Sequence, residues 1–285
     1  MKKIIIYDSI HERAIKFLEQ ENDVQIFCVE AENRSKLLSL LPSADGIILR
    51  YLAFDEELIK VAHNLKTISR HGVGYDNIDI KSATDCGIPV TTIGDVNAVT
   101  VSELTMYFIL AAAKQGLKYD QAVRENNWQI REELDSFELF NKNILIIGFG
   151  RIGSRVAPRV KSFESKVFVC DPYISQDIIT KSGYIAVTDW REAIGDMDIV
   201  TLHVPLTDET KYMIDDNVIK NMKTGAILVN AARGALETAN EARKDAANVA
   251  SSASTGILLG AIALILGVVA LSLAVLAFQR SGRKA

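Results

Sequence analysis

The chain has 285 residues, 48% of them hydrophobic and 24% charged, with 32 Lys and Arg against 36 Asp and Glu and a formal net charge of −4. That length accommodates one or two domains, and the balance excludes a disordered chain, a collagen and a basic nucleic-acid binder, so no DNA or RNA partner is expected. Three dispersed cysteines, Cys28, Cys86 and Cys170, form no C-x-x-C pair; neither a disulfide framework nor a structural metal is expected, and a reducing, cytoplasmic setting fits.

The first apolar run, Ile4-Ile5-Ile6, is too short for a signal-peptide core and reads as a buried strand. Similar β-branched runs at 3–7, 24–27, 46–50, 66–70 and 89–91 alternate with amphipathic stretches, the pattern of a parallel sheet covered by helices. They predict one α/β unit over residues 1–96. A helix is predicted over 98–114, with Val101, Leu104, Phe108 and Ala112 on its apolar face. The polar segment 124–137 leads into a second strand series at 143–147, 166–170, 185–187, 198–203 and 226–230, which defines a second α/β domain over 97–236.

Beyond Leu236 the character changes. An Ala/Ser-rich polar linker (237–255) precedes 23 residues without a charge (256–278) and a basic tail (279–285). As a helix the uncharged stretch is about 35 Å long, enough for a bilayer core of about 30 Å, so a single C-terminal membrane helix is expected. A buried core helix and a junction of two unrelated coding segments near residue 236 are the competing readings. Residues 237–285 carry five basic and three acidic groups, leaving 27 against 33 in the first 236. The mean hydropathy of +0.13 thus averages two dissimilar parts.

The strand at 143–147 runs into Gly148-Phe149-Gly150-Arg151-Ile152-Gly153 and then a helical pattern. Set between a buried strand and a helix, these glycines allow a tight turn and a close approach of the backbone to a pyrophosphate, whose charge the helix N-terminus favours. Asp171, about 20 residues on at the end of the next strand, is placed to hold a ribose hydroxyl pair, and its charge disfavours a 2′-phosphate, so NAD is the expected cofactor. An unrelated glycine-rich turn is the plain alternative.

The segments RHGVGYDNID (70–79), NAVTVSEL (97–104), IGFGRIG (147–153), CDPY (170–173), LHVPLTDET (202–210) and VNAARG (229–234) resemble the D-isomer-specific 2-hydroxyacid dehydrogenases, in flavour the phosphoglycerate dehydrogenase branch. The resemblance covers residues 1–236, or 83% of the chain. It implies a flavodoxin-like substrate lobe followed by a Rossmann NAD-binding domain. It also implies a small 2-hydroxy or 2-oxo acid as substrate and a homodimer. Arg233 matches the catalytic arginine, whose guanidinium fork suits a 2-oxo acid. Val73 and Gly74 match the loop whose N–H groups receive the substrate carboxylate. Arg151 and Ile152 match the pyrophosphate turn, and Val204, Pro205, Ala231 and Ala232 match positions lining the dinucleotide. His203 matches a packing residue under the cofactor. Arg50, at a strand end, suits a phosphate or second carboxylate, with a plain surface role the alternative.

The family moves the hydroxyl proton with a histidine paired to a glutamate, both downstream of the arginine motif. Here no histidine follows His203, and Glu237 and Glu241 come too early to match the glutamate. The expectation is an NAD-binding domain that stops short of the family's pattern and turns over slowly. A membrane-tethered, catalytically silent NAD-binding module and a fusion or frameshift product without function are the alternatives.

Overall fold

The computed structural model describes residues 1–133 and 135–231, and the chain divides into two compact units between Asn97 and Ala98. In the first unit β1 (Lys2–Tyr7), β2 (Val24–Val29), β3 (Gly46–Leu49), β4 (Thr67–Arg70) and β5 (Val90–Thr92) form a parallel sheet in the order β2-β1-β3-β4-β5. Ile5 pairs with Phe27 on one side and Ile47 on the other. Ile5, Ile47, Leu49 and Ile68 are buried because helices cover both faces, which is why these strands are continuous apolar runs instead of alternating ones. Three of the helices start on a side chain that accepts from their first turn: Asn33 from Lys36 N, Asp55 from Leu58 N and Asp79 from Ser82 N. Each such cap contributes about 1 kcal/mol.

The second unit opens with the helix Ala98–Ala113 and continues through β6 (Asn143–Ile147), β7 (Lys166–Cys170), β8 (Ile185–Ala186), β9 (Ile199–Leu202) and β10 (Ile227–Asn230). Its sheet is also parallel, in the order β10-β9-β6-β7-β8. Counted within the unit this is 3-2-1-4-5, the Rossmann order, whereas the first unit runs 2-1-3-4-5, the flavodoxin-like order. Both orders reverse beside the first strand, and the crevice outside the carboxyl ends at that point is where such sheets take their ligands.

Two sequence expectations need correction. Most predicted strands shift or shorten by a residue or two at their ends; β9 ends at Leu202 and β3 at Leu49. The buried face of Ala98–Ala113 is not the one predicted: Ser102, Thr105, Met106, Ile109 and Ala113 are buried with Phe108, while Leu104 and Ala112 are only half-buried. The hydroxyls made this possible by bonding back to their own helix, Ser102 to Val99 O and Thr105 to Val101 O, so they lose nothing on burial. After the helix Gly116–Arg124 the polar segment 124–137 forms a 3-10 turn, Trp128–Glu133, and Lys118 bridges Glu133 and Asp135. Among the described residues no helix is long and apolar enough to cross a membrane. The predicted span at 256–278, with its linker and tail, lies outside the described residues.

Candidate functional site

In the second unit the turn after β6 is shaped by three glycines that do three different things. Gly148 has φ +94°, and a Cβ there would stand 2.7 Å from the carbonyl oxygen of His203, at the point where the strand order reverses. Gly153 opens the helix Gly153–Lys161 so close to the turn that a Cβ would lie 1.9 Å from Gly148 O. At Gly150 a Cβ would meet nothing within 4 Å. The first two are therefore demanded by the fold, and the third leaves the backbone of the turn open. Ser154 N and Arg155 N already donate to Gly150 O and Ile152 O, so what the helix offers an anion at this face is the positive end of its dipole. This fits a dinucleotide pyrophosphate, with Arg151 exposed at the same turn and Ile152 half-buried against the core.

Asp171, immediately after β7, is locked to that turn. Its Oδ2 accepts from Phe149 N at 2.7 Å and its Oδ1 from Tyr173 N at 2.8 Å. A carboxylate oxygen has a second lone pair, so both can still accept a ribose hydroxyl. The Phe149 ring meets Tyr184 edge-on at 5.7 Å, which anchors the variable residue of the glycine motif. His203 is half-buried, and its Nε2 lies 3.0 Å from Thr201 Oγ1. Desolvation pushes its pKa down to about 4, so it is neutral at pH 7. The Val204 side chain comes within 3.1 Å of the Gly148 Cβ position, and the Pro205 carbonyl accepts from Thr210 Oγ1. Ala231 packs half-buried on the core after β10; Ala232 and Arg233 lie outside the described residues.

In the first unit the carboxyl ends of β3 and β4 gather cations. The Arg50 guanidinium lies 4.5 Å from the Tyr51 ring centroid, and that of Arg70 lies 6.0 Å from it. Arg70 is buried, and its Nη1 donates to His71 O at 2.6 Å. Its guanidinium occupies the space a side chain on Gly72 would need, since a Cβ there would fall 1.1 Å from Nη1. Val73 and Gly74 follow, half-buried. Burial first, then the charges of Arg50 and Arg70, holds His71 below its ordinary pKa and keeps it neutral at pH 7. Reading the sequence singled out Arg50, Val73 and Gly74 but neither Arg70 nor Asn77, although both stand in the same motif. The glycine two residues after Arg70 was the available sign of a large side chain turned inward.

A glycine turn on a Rossmann-ordered sheet, open at Gly150 and closed by Asp171, defines a dinucleotide-binding α/β protein. Residues 106–243 match the family model of the D-isomer specific 2-hydroxyacid dehydrogenase, NAD binding domain. The chain is 38% identical over 237 residues to a D-3-phosphoglycerate dehydrogenase of Methanocaldococcus jannaschii, covering 83% of this chain and 45% of that protein. It is 35% identical over 243 residues to a glyoxylate reductase of Pyrococcus furiosus, covering 81% and 71%. Among solved structures, an NAD-dependent formate dehydrogenase from Staphylococcus aureus in complex with NAD superposes with a TM-score of 0.73 at 29% identity, over 82% of this chain and 74% of that one. The chain belongs to the D-isomer-specific 2-hydroxyacid dehydrogenase family, NAD-dependent oxidoreductases acting on CH–OH groups, and NAD is the cofactor of its second unit. It spans less than half the length of the D-3-phosphoglycerate dehydrogenases of Methanocaldococcus jannaschii and Archaeoglobus fulgidus.

Proposed function

We propose that the chain binds NAD together with a small 2-hydroxy or 2-oxo acid of the phosphoglycerate type, as a D-2-hydroxyacid dehydrogenase does. Gly148, Gly150, Arg151, Ile152 and Gly153 hold the pyrophosphate, Asp171 the adenosine ribose, and Val204, Pro205, Ala231 and Ala232 line the dinucleotide. The backbone of Val73 and Gly74 receives the substrate carboxylate, Arg233 binds the acid and polarises its carbonyl, and Arg50 takes a second anionic group. When bound, NAD accepts the hydride from the hydroxyl-bearing carbon. The observation that carries this reading is the glycine turn, open at Gly150 and tied through Phe149 N to a carboxylate 22 positions along.

The hydroxyl proton needs an acceptor tuned near neutrality. His203 is held well below that range by desolvation, and His71 stands beside two guanidiniums that oppose its protonation. No further histidine follows in the 285 residues. These residues alone are therefore proposed to turn over slowly, by the 10²–10⁴-fold that loss of a general base typically costs. Titration of the full chain with NADH, followed by protein fluorescence, tests the first part, and absence of saturable binding overturns it. Reduction of 2-oxo acids at the rates of complete dehydrogenases overturns the second.

The uncharged stretch 256–278 supports a membrane tether for the same chain. Carbonate-resistant sedimentation with membranes tests it, and recovery of the full chain in the soluble fraction removes it. The exposed Tyr107, Leu117, Val123 and Trp128 of the second unit support a homodimer, which light scattering on the purified chain decides.

A further inference from the structure

We infer that Asn77 and Tyr51 together form a clamp that positions the Arg50 guanidinium, Asn77 by pinning the backbone on both sides of Tyr51 and Tyr51 by carrying Arg50 on its ring. The inference rests on the reading of Arg50 as the residue that takes the second anionic group of the acid.

Asn77 Nδ2 donates to Leu52 O at 2.8 Å and reaches Arg50 O at 3.5 Å, the two carbonyls that flank Tyr51. The backbone repeats the tie: Phe54 N donates to Asn77 O, Asp79 N donates to Phe54 O, and Phe54 and Ile78 form an isolated parallel bridge. The turn after β3 is thereby sewn to the turn after β4, although 25 to 27 residues separate them in the chain. Asn77 is held through its donor side alone: Oδ1 is buried and no donor among the described residues reaches it. An amide is required because two carbonyls need a donor, which an aspartate of the same shape does not supply.

Tyr51 completes the device. Its ring is 55% exposed, so packing does not account for it, yet Arg50 lies over it at 4.5 Å and Arg70 at 6.0 Å. Two guanidiniums repel one another in open solution, and a ring face near both offers each a negative quadrupole. Arg50 is thus restrained against the Tyr51 ring before any ligand arrives, so less rotamer entropy is lost when an anion binds.

The test compares D-3-phosphoglycerate with D-glycerate, two acids differing by the phosphate, by calorimetry on the full chain with saturating NADH. Wild type is expected to favour the phosphorylated acid at least tenfold, and Arg50→Ala to abolish the preference. Asn77→Asp and Tyr51→Leu are expected to cut it by about tenfold while glycerate binding stays within twofold, and Tyr51→Phe, which keeps the ring, is expected to restore it. Tyr51 is exposed, so its two variants decide the matter should Asn77→Asp fail to fold. Equal weakening toward both acids, or an unchanged preference in Tyr51→Leu, overturns the clamp while leaving Arg50 in its role. No preference in wild type, or none lost in Arg50→Ala, overturns the reading of Arg50 and the clamp with it.

Discussion

The two units build the amino ends of their sheets with the same device and spend their carboxyl ends differently. Asp45, just before β3, accepts from Lys3 N at 2.9 Å and from Lys66 Nζ at 2.8 Å, tying β1, β3 and β4. Asp198, just before β9, accepts from Asn143 N at 2.9 Å and from Lys223 Nζ at 2.6 Å, tying β6, β9 and β10. The backbone matches as well: Asp45 N donates to Lys3 O and Asp198 N to Asn143 O, while Lys66 N and Ile227 N donate to the aspartate carbonyls. At the opposite ends, one unit presents a glycine turn under a helix N-terminus and the other a pair of sewn turns carrying arginines. A parallel α/β sheet thus separates the side that holds it together from the side that binds, and the two can be broken independently.

The largest effect expected comes from Gly153→Ala. Its Cβ meets backbone, not the end of a flexible side chain, so the helix must shift, at a cost of about 3 kcal/mol. Gly150→Ala is the contrasting substitution. Nothing stands in its way, so the apo melting temperature should hold, while NADH affinity should fall by on the order of tenfold or more, about 1.4 kcal/mol per decade. A drop in apo stability for Gly150→Ala, or unchanged NADH binding, would show that the open face is not where the pyrophosphate lies.

Acid should separate the units next. His203 has its pKa lowered to about 4 from an ordinary 6.5. The unfolded chain therefore binds a proton that the folded chain refuses between those values, and stability falls as pH drops from 6.5 to 4. The share due to His203 is about 3 kcal/mol at most and falls in the second unit, while His71, also held below its ordinary value, adds a slope of the same sign in the first. His203→Gln, which keeps a polar partner for Thr201, should flatten this slope in chemical denaturation followed across pH. A slope that survives the substitution places the proton uptake elsewhere.

How much of this was legible before the structure follows from how far apart the partners lie in the chain. All ten strands among the described residues could be read as short β-branched runs, and in the central ones burial on both faces leaves that signature locally. The glycine motif and Asp171 were legible because the βαβ unit fixes their separation. The buried face of Ala98–Ala113 was misread, since almost every residue on that helix is apolar or small and its periodicity is weak. Arg70 and Asn77 escaped notice because their roles lie in which backbone atoms they meet. Asp45 and Asp198 escaped for the same reason, pairing with strands 42 and 55 residues away.

The smallest effects test the shared device itself. Asp198 is the more enclosed of the two: burial alone would raise its pKa, but the Lys223 ammonium and the Asn143 N–H outweigh it and hold it below the ordinary carboxylate value. Asp198→Asn should cost about 1–2 kcal/mol, most of it from the bond to the strand N–H, since the lysine is half-exposed and screened. Asp45 is held at about 2, first by Lys66 and then by Lys3 N–H, but Lys66 is 62% exposed, so Asp45→Asn should cost less than Asp198→Asn. With a depressed folded value, its contribution is fully present above about pH 4 and is lost as pH falls through about 2. Asp45→Asn should therefore remove part of the acid slope below pH 4 and leave the slope between 4 and 6.5, assigned to His203, untouched. An Asp45 variant that instead alters the upper window would mean that the two units do not melt as separate electrostatic bodies, and the division between a holding side and a binding side would lose its physical basis.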